Sequence, residues 1–222
     1  MRKSLRSILG AGAFAVASLL PMKQTEAQGN VSGSVEYIQS MQKDGNSYAR
    51  LNGFYTLPKG ISGFTFTELY KDGKGFYGET ALDKEIKNGL GIKLRAFHAN
   101  EPLTKAGIGV TQSIPHLPKN AFAQVGFIPV WVGNKGKTVG DNAVTQYFAS
   151  VDLPHGFRVS SFAEWELLGK DGVQFGYGEI NVDKKINSNL TIGYNPVLIN
   201  KGNAVPRLEH RVVGRIGFGA KK

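Results

Sequence analysis

Apolar residues in this chain recur at every second position, and after residue 28 they nowhere hold helical spacing over a useful length. Between residues 89 and 99, Leu90, Ile92, Leu94 and Ala96 fall on one side and Lys93 and Arg95 on the other. The run 157–168 sets Phe157, Val159, Ala163, Trp165 and Leu167 against Arg158, Phe162, Glu164 and Glu166. The run 208–219 sets Val212, Gly214, Ile216 and Phe218 against Glu209, Arg211 and Arg215. The pattern predicts an all-β chain with strands at 30–41, 47–57, 61–70, 75–83, 89–99, 105–114, 121–132, 143–153, 157–168, 173–183, 189–198 and 208–219. Each is near the nine to eleven residues that a tilted strand needs to cross a bilayer, and Val, Ile, Phe, Tyr and Thr fill the runs.

The turn words sort by strand number. Lys-Asp-Gly at 43–45, 71–73 and 170–172 follows the first, third and ninth strands. Leu-Pro at 57–58, 117–118 and 153–154 follows the second, sixth and eighth, with Asp83-Lys84 and Asp183-Lys184 placed as the turns after the fourth and tenth. A meander sends alternate turns to opposite ends, so each family of turns belongs to one end. Loops at the Lys-Asp-Gly end are short except for 133–142 and 196–207.

The chain also repeats itself. Phe66, Glu68, Tyr77, Glu79, Asp83, Leu90 and Ile92 correspond to Phe162, Glu164, Tyr177, Glu179, Asp183, Leu190 and Ile192, a displacement of six strands. An even displacement keeps both the end and the face, which points to a duplicated six-stranded half closed into a twelve-stranded ring. Alternation alone does not say which face is inside. Twelve strands enclose a lumen too wide for an apolar filling to pack, whereas water and ion pairs can occupy it and lipid can wet an apolar exterior. In hydrocarbon an unpaired backbone group costs several kcal/mol, so the sheet must have no edge. The fold expected is a closed antiparallel up-and-down transmembrane β-barrel.

That orientation turns Arg50, Glu68, Glu79, Lys93, Arg95, Arg158, Glu164, Glu166, Glu179, Glu209, Arg211 and Arg215 into lumen-lining candidates. They have two available roles: to brace the barrel as ion pairs, or to form a polar path whose Arg and Lys side favours anions. Phe64, Phe66, Phe148 and Phe162 also point inward in this frame and offer a plug.

In style the chain resembles the outer-membrane β-barrel class. "LDKEIKNGLGIKL" (82–94) and "VDKKINSNLTIGY" (182–194) are similar to its short periplasmic turns, and "VVGRIGF" (212–218) to its terminal strand signal. The class ends on an aromatic residue, whereas Gly219-Ala220-Lys221-Lys222 follows Phe218 here. The resemblance implies a porin-like channel for small polar solutes, with lipid and the barrel-assembly machinery as partners. Two alternatives stand beside it: a structural or anchoring barrel with a plugged lumen, and a soluble periplasmic barrel holding an apolar ligand.

The start of the chain agrees with export. Arg2, Lys3 and Arg6 precede an apolar run from Ile8 to Leu20 and then Thr25-Glu26-Ala27, the layout of a signal peptide over residues 1–27, with one β-domain over 28–222. Its removal takes away four basic residues and one acid, so the formal charge falls from +10 to +7. Basic runs, zinc spacing and groove-entering helices are absent from the sequence, so nucleic acid is not expected as a partner. With no cysteine there is no disulfide, thiolate or Cys-type metal site.

The remaining motifs do not carry chemistry. Gly73-Lys74-Gly75-Phe76-Tyr77-Gly78 spells G-x-G-x-x-G inside a hairpin, without the helix that would hold a pyrophosphate. His98, His116, His155 and His210 lack metal-ligand spacing, and none has Ser two residues on, the pair shared by lipid hydrolases of this class. No cofactor, metal or enzymatic activity is expected, and a monomer is.

Overall fold

The computed structural model describes residues 30–42, 45, 47–70, 75–98, 105–133, 143–169, 172–200 and 206–219. They form β1 (Asn30–Ser40), β2 (Tyr48–Leu57), β3 (Ile61–Tyr70), β4 (Phe76–Lys87), β5 (Leu90–His98) and β6 (Lys105–Ser113). The second half contributes β7 (Ala121–Gly133), β8 (Ala143–Leu153), β9 (Phe157–Gly169), β10 (Gly172–Lys185), β11 (Leu190–Ile199) and β12 (Arg207–Gly219). Every strand pairs antiparallel with its sequence neighbours, and β1 pairs with β12 from Ser32 opposite Gly219 to Ser40 opposite Arg211. The sheet therefore has no edge, and its backbone donors and acceptors are consumed by the ladder.

Two turn assignments from the sequence are corrected. β4 runs on to Lys87 and β10 to Lys185, so Asp83-Lys84 and Asp183-Lys184 lie inside strands. Asp83 stands opposite Lys93, and Asp183 stands between Arg158 and Gly193. A neighbouring cation or small residue gives each carboxylate a place in the ladder, so the turn preference of Asp loses. The β4–β5 reversal is made by Asn88 and Gly89, with φ of 53° and 80°, as a two-residue hairpin requires. The Leu-Pro turns after β2 and β8 share one backbone form, with Lys59 and His155 at φ 64° and 60°. Residues 1–27, most of the Lys-Asp-Gly turn words, 134–142 and 201–205 lie outside the described residues.

Orientation follows the alternation. Ile92 and Leu94 are 42% and 47% exposed on the outer face, whereas Lys93 and Arg95 between and beside them are 8% and 4% exposed. Val35, Ile108, Ile180, Ile192 and Ile216 continue the outward apolar surface around the ring. The internal repeat is a repeat of register: Glu68 faces Tyr77 and Phe66 faces Glu79, as Glu164 faces Tyr177 and Phe162 faces Glu179.

Small residues set the local shape of the wall. A Cβ on Gly107 would lie 2.7 Å from both Ile128 Cγ2 and Trp131 Cε3, so the indole packs where a side chain would otherwise stand. Just beside this contact the β6–β7 register shifts between Ile108 and Val110, a bulge that puts both Ile128 and Trp131 inside. Gly107→Ala is expected to displace the indole and lower stability by about 1–3 kcal/mol. Urea unfolding in detergent micelles, followed by tryptophan fluorescence, measures both effects.

Candidate functional site

The ladder register puts all twelve charged candidates on the inner face. Arg50 stands opposite Glu68, Glu79 opposite Phe66 and Phe97, and Arg211 opposite Asn195 and Ser40. They divide into three groups, two outliers, and Glu179, which is held by Tyr177 and Asn181.

The first group joins β12, β1, β2, β3 and β10. Arg211 Nε donates to Glu209 Oε1 at 3.0 Å, and its Nη1 donates to the Tyr48 hydroxyl at 2.8 Å. Arg50 Nε donates to Glu68 Oε1 at 3.0 Å, while Tyr70 donates its hydroxyl to Glu68 Oε2 at 3.2 Å. Arg215 pairs with Glu36 and reaches Asp183 Oδ2 at 2.7 Å. Arg50 lies 3.9 Å from the second oxygen of the same Glu36. Charge-assisted bonds of this kind are about twice as strong as neutral ones, and sharing an acid between two arginines ties five strands together.

The second group is centred on Arg95 of β5. Its Nε and Nη2 grip Glu79 of β4 in a fork at 2.6 and 3.0 Å. Its Nη1 crosses the interior to Gln146 Oε1 of β8 at 3.1 Å and to Glu164 of β9. The guanidinium also lies 4.5 Å from the Phe97 ring centre and 5.9 Å from that of Phe162. A side chain that starts on β5 and ends on β9 spans a third of the ring, so it narrows the lumen at this level.

The repeat explains the reach. Glu68 has Arg50 as its partner on the preceding strand, but its counterpart Glu164 has Gln146 there. The counterpart of Arg95 on β11 is Asn195, which donates to the Ile180 carbonyl at 3.0 Å. The repeat copies the acids and neither arginine, so Arg95 of the first half serves Glu164 of the second. Glu179 is held by the Tyr177 hydroxyl at 2.6 Å and Asn181 Nδ2 at 3.2 Å.

The third group is the pair Lys93–Asp83, at 3.6 Å. The outliers sit toward the two ends. Arg158 pairs with Asp152 at 2.5 Å with more than half of each side chain in solvent, so it contributes little to stability. Glu166 lines a cavity of about 240 Å³ with Gln174, Phe175, Gly176 and Asn200.

Sequence reasoning missed Glu36, Gln146, Tyr48, Tyr177 and Lys105, and it placed Asp83 and Asp183 in turns. Glu36 was legible from its alternation with Ser34, Ile38 and Ser40, all buried inside. No periodicity announces that Gln146 meets an arginine four strands away.

No protein-family model matches the chain, and no curated protein does. Among solved structures, a KdgM porin superposes with a TM-score of 0.57 at 6% identity, covering 86% of this chain and 99% of its own. A KdgM porin in complex with disordered oligogalacturonate gives 0.57 at 7% identity over 84% and 99%. A NanC porin in a rhombohedral crystal form gives 0.54 at 10% identity over 86% and 100%. The likeness is one of fold: a closed twelve-stranded up-and-down barrel of the kind found in small porins.

Removing Arg95 leaves Glu79 and Glu164 without their cation. Arg95→Ala is expected to cost about 3 kcal/mol, and Glu164→Gln in the same background should restore part of it, with a coupling of about 1–3 kcal/mol. A double-mutant cycle on urea unfolding midpoints checks the coupling.

Proposed function

We propose that this chain is an outer-membrane channel for small polar solutes, with the ion-paired lumen as its path. The observation that carries the reading is the sorting of side chains by face: ionised groups enclosed and apolar groups on the outside of a closed wall. The fold likeness to porins supports it, including one that was captured with an acidic saccharide. On this reading residues 1–27 export the chain, lipid covers the outer face, the barrel-assembly machinery inserts it, and it acts as a monomer.

The path is narrow, and its five ion-paired cations are all engaged by acids, seven in number. Arg50, Arg95, Arg211, Arg215 and Lys93 are matched by Glu36, Glu68, Glu79, Asp83, Glu164, Asp183 and Glu209. Such a lumen offers a guanidinium to an anion only where the solute displaces a resident carboxylate, so selection rests on specific contacts more than on net charge. The interior carries charge where a barrel for an apolar ligand would carry apolar side chains, which leaves that alternative without support.

The second reading, a barrel closed by its own side chains, is favoured by one observation: Arg95 crosses to β8 and β9 and is 4% exposed. Single-channel recording separates the two. The channel reading expects small conductance steps from the wild type and larger ones from Arg95→Ala, because the cross-lumen bridge is the narrow point. A folded, heat-modifiable barrel that stays electrically silent in both forms overturns it and leaves a structural role. Membrane insertion has its own check: Leu94→Arg on the outer face should cost about 2–4 kcal/mol in a lipid-vesicle folding equilibrium if it lies near the bilayer midplane. A change near zero would show that no lipid meets that face.

A further inference from the structure

Large apolar side chains that remain exposed are almost all on the outer face, and Phe54, Phe122 and Phe148 break the rule. They are 47%, 45% and 38% exposed, yet the register puts them inside, with Phe54 opposite Phe64 and Phe148 opposite Phe162. Rings that merely filled the lumen would be covered by their neighbours. These line a space and leave their faces open, at a cost in water that calls for an occupant.

The rings are also continuous. Phe54, Phe64, Phe66, Tyr77, Phe97 and Trp131 follow one another with centroid separations of 5.1, 5.6, 5.7, 6.1 and 5.4 Å. The series begins near the β2–β3 turn and climbs across β3, β4 and β5 to the far end of β7, so it runs the length of the wall. A second wall, Phe122 and Phe148 at 6.0 Å, stands on β7 and β8.

Cations recur along the first wall. Arg50 lies 5.0 Å over Phe66, Arg95 4.5 Å over Phe97, and Lys105 4.6 Å over Trp131. Arg50 and Arg95 also hold carboxylates. Lys105 has no carboxylate partner among the described residues, and beside it the Trp131 indole N–H has no acceptor although the residue is 1% exposed. An apolar ring track with a guanidinium over Phe66 and another over Phe97 matches a ligand with a flat apolar face and an anionic oxygen pair at its edge.

We propose that the lumen recognises small aromatic carboxylates, which enter along Phe54, Phe64, Phe66 and Tyr77 with the ring against their faces and the carboxylate on Arg50, up to the level where Arg95, Phe97 and Trp131 are buried. The proposal deepens the channel reading and rests on it. Six of the eight rings in the two walls are phenyl, with no hydroxyl or N–H to meet the polar edge of a sugar, which favours an aromatic face over a saccharide.

Zero-current potentials across a planar bilayer holding the full-length barrel, with sodium benzoate on one side and sodium glucuronate on the other, give the relative permeability of two acids of equal charge. The wild type should favour benzoate by about fivefold or more, the worth of one stacking contact. In a Phe64→Leu/Phe148→Leu barrel, which keeps an apolar lining, the preference should fall toward unity. Glucuronate passing as readily as benzoate overturns the proposal, and so does a preference that persists in the leucine variant, since that would be sieving by size. Benzylammonium outrunning benzoate also overturns it, because the carboxylates would then set the sign. In each of these cases current still flows and the channel reading stands; a barrel that passes no ion at all removes both.

Discussion

The ladder between β1 and β12 is the interaction on which the rest depends. It joins the first strand to the last over nine residue pairs, and without it a twelve-stranded sheet would present two rows of unpaired N–H and C=O groups. Once the ring closes, every strand has one face toward a shared interior and one toward the surroundings, and a one-residue slip anywhere would exchange them. Closure therefore converts a period-two sequence into a separation of charge from hydrocarbon. The enclosed ion pairs in turn fix strand positions, since Glu36 shared by Arg50 and Arg215 binds the strands on either side of the closing seam.

Charge at the narrow level is a product of the repeat and of its imperfection. Two copies of a Glu-containing hairpin bring Glu68, Glu79, Glu164 and Glu179 to matching positions, while Arg50 and Arg95 are matched by Gln146 and Asn195. An ionised carboxylate in a partly dehydrated lumen needs a cation or several donors. Glu179 takes Tyr177 and Asn181, and Glu164 draws Arg95 across the ring. A symmetric barrel would have carried its bonds along the walls and left the centre open. The bridge follows from the mismatch between the two copies of the repeat, and it crosses the interior at their shared level.

Strand number, order, closure and facing were legible because each rests on a local signal with period two, and the inward charges followed from them. Strand ends were less legible: Asp83 and Asp183 look like turn residues until a cation on a neighbouring strand, Lys93 or Arg158, is seen opposite. What the sequence hid was everything that crosses the lumen. The contact between Arg95 and Gln146 joins residues 51 positions apart on strands that are not neighbours, and it depends on side-chain length and barrel width. The aromatic track was half visible, since Phe64 and Phe66 stood out as inward rings, but its continuity through Tyr77, Phe97 and Trp131 is set by strand tilt and the β6–β7 bulge.

The central claim is one of facing, and the cysteine-free chain suits its most direct test, nitroxide labels placed one at a time on cysteines at positions 90 to 96 of the lipid-reconstituted protein. Collision rates with oxygen, which concentrates in hydrocarbon, should peak at 90, 92, 94 and 96, and rates with a water-soluble nickel complex at 91, 93 and 95. The opposite phase, or no oscillation, would contradict an apolar exterior wrapped around an ionised lumen.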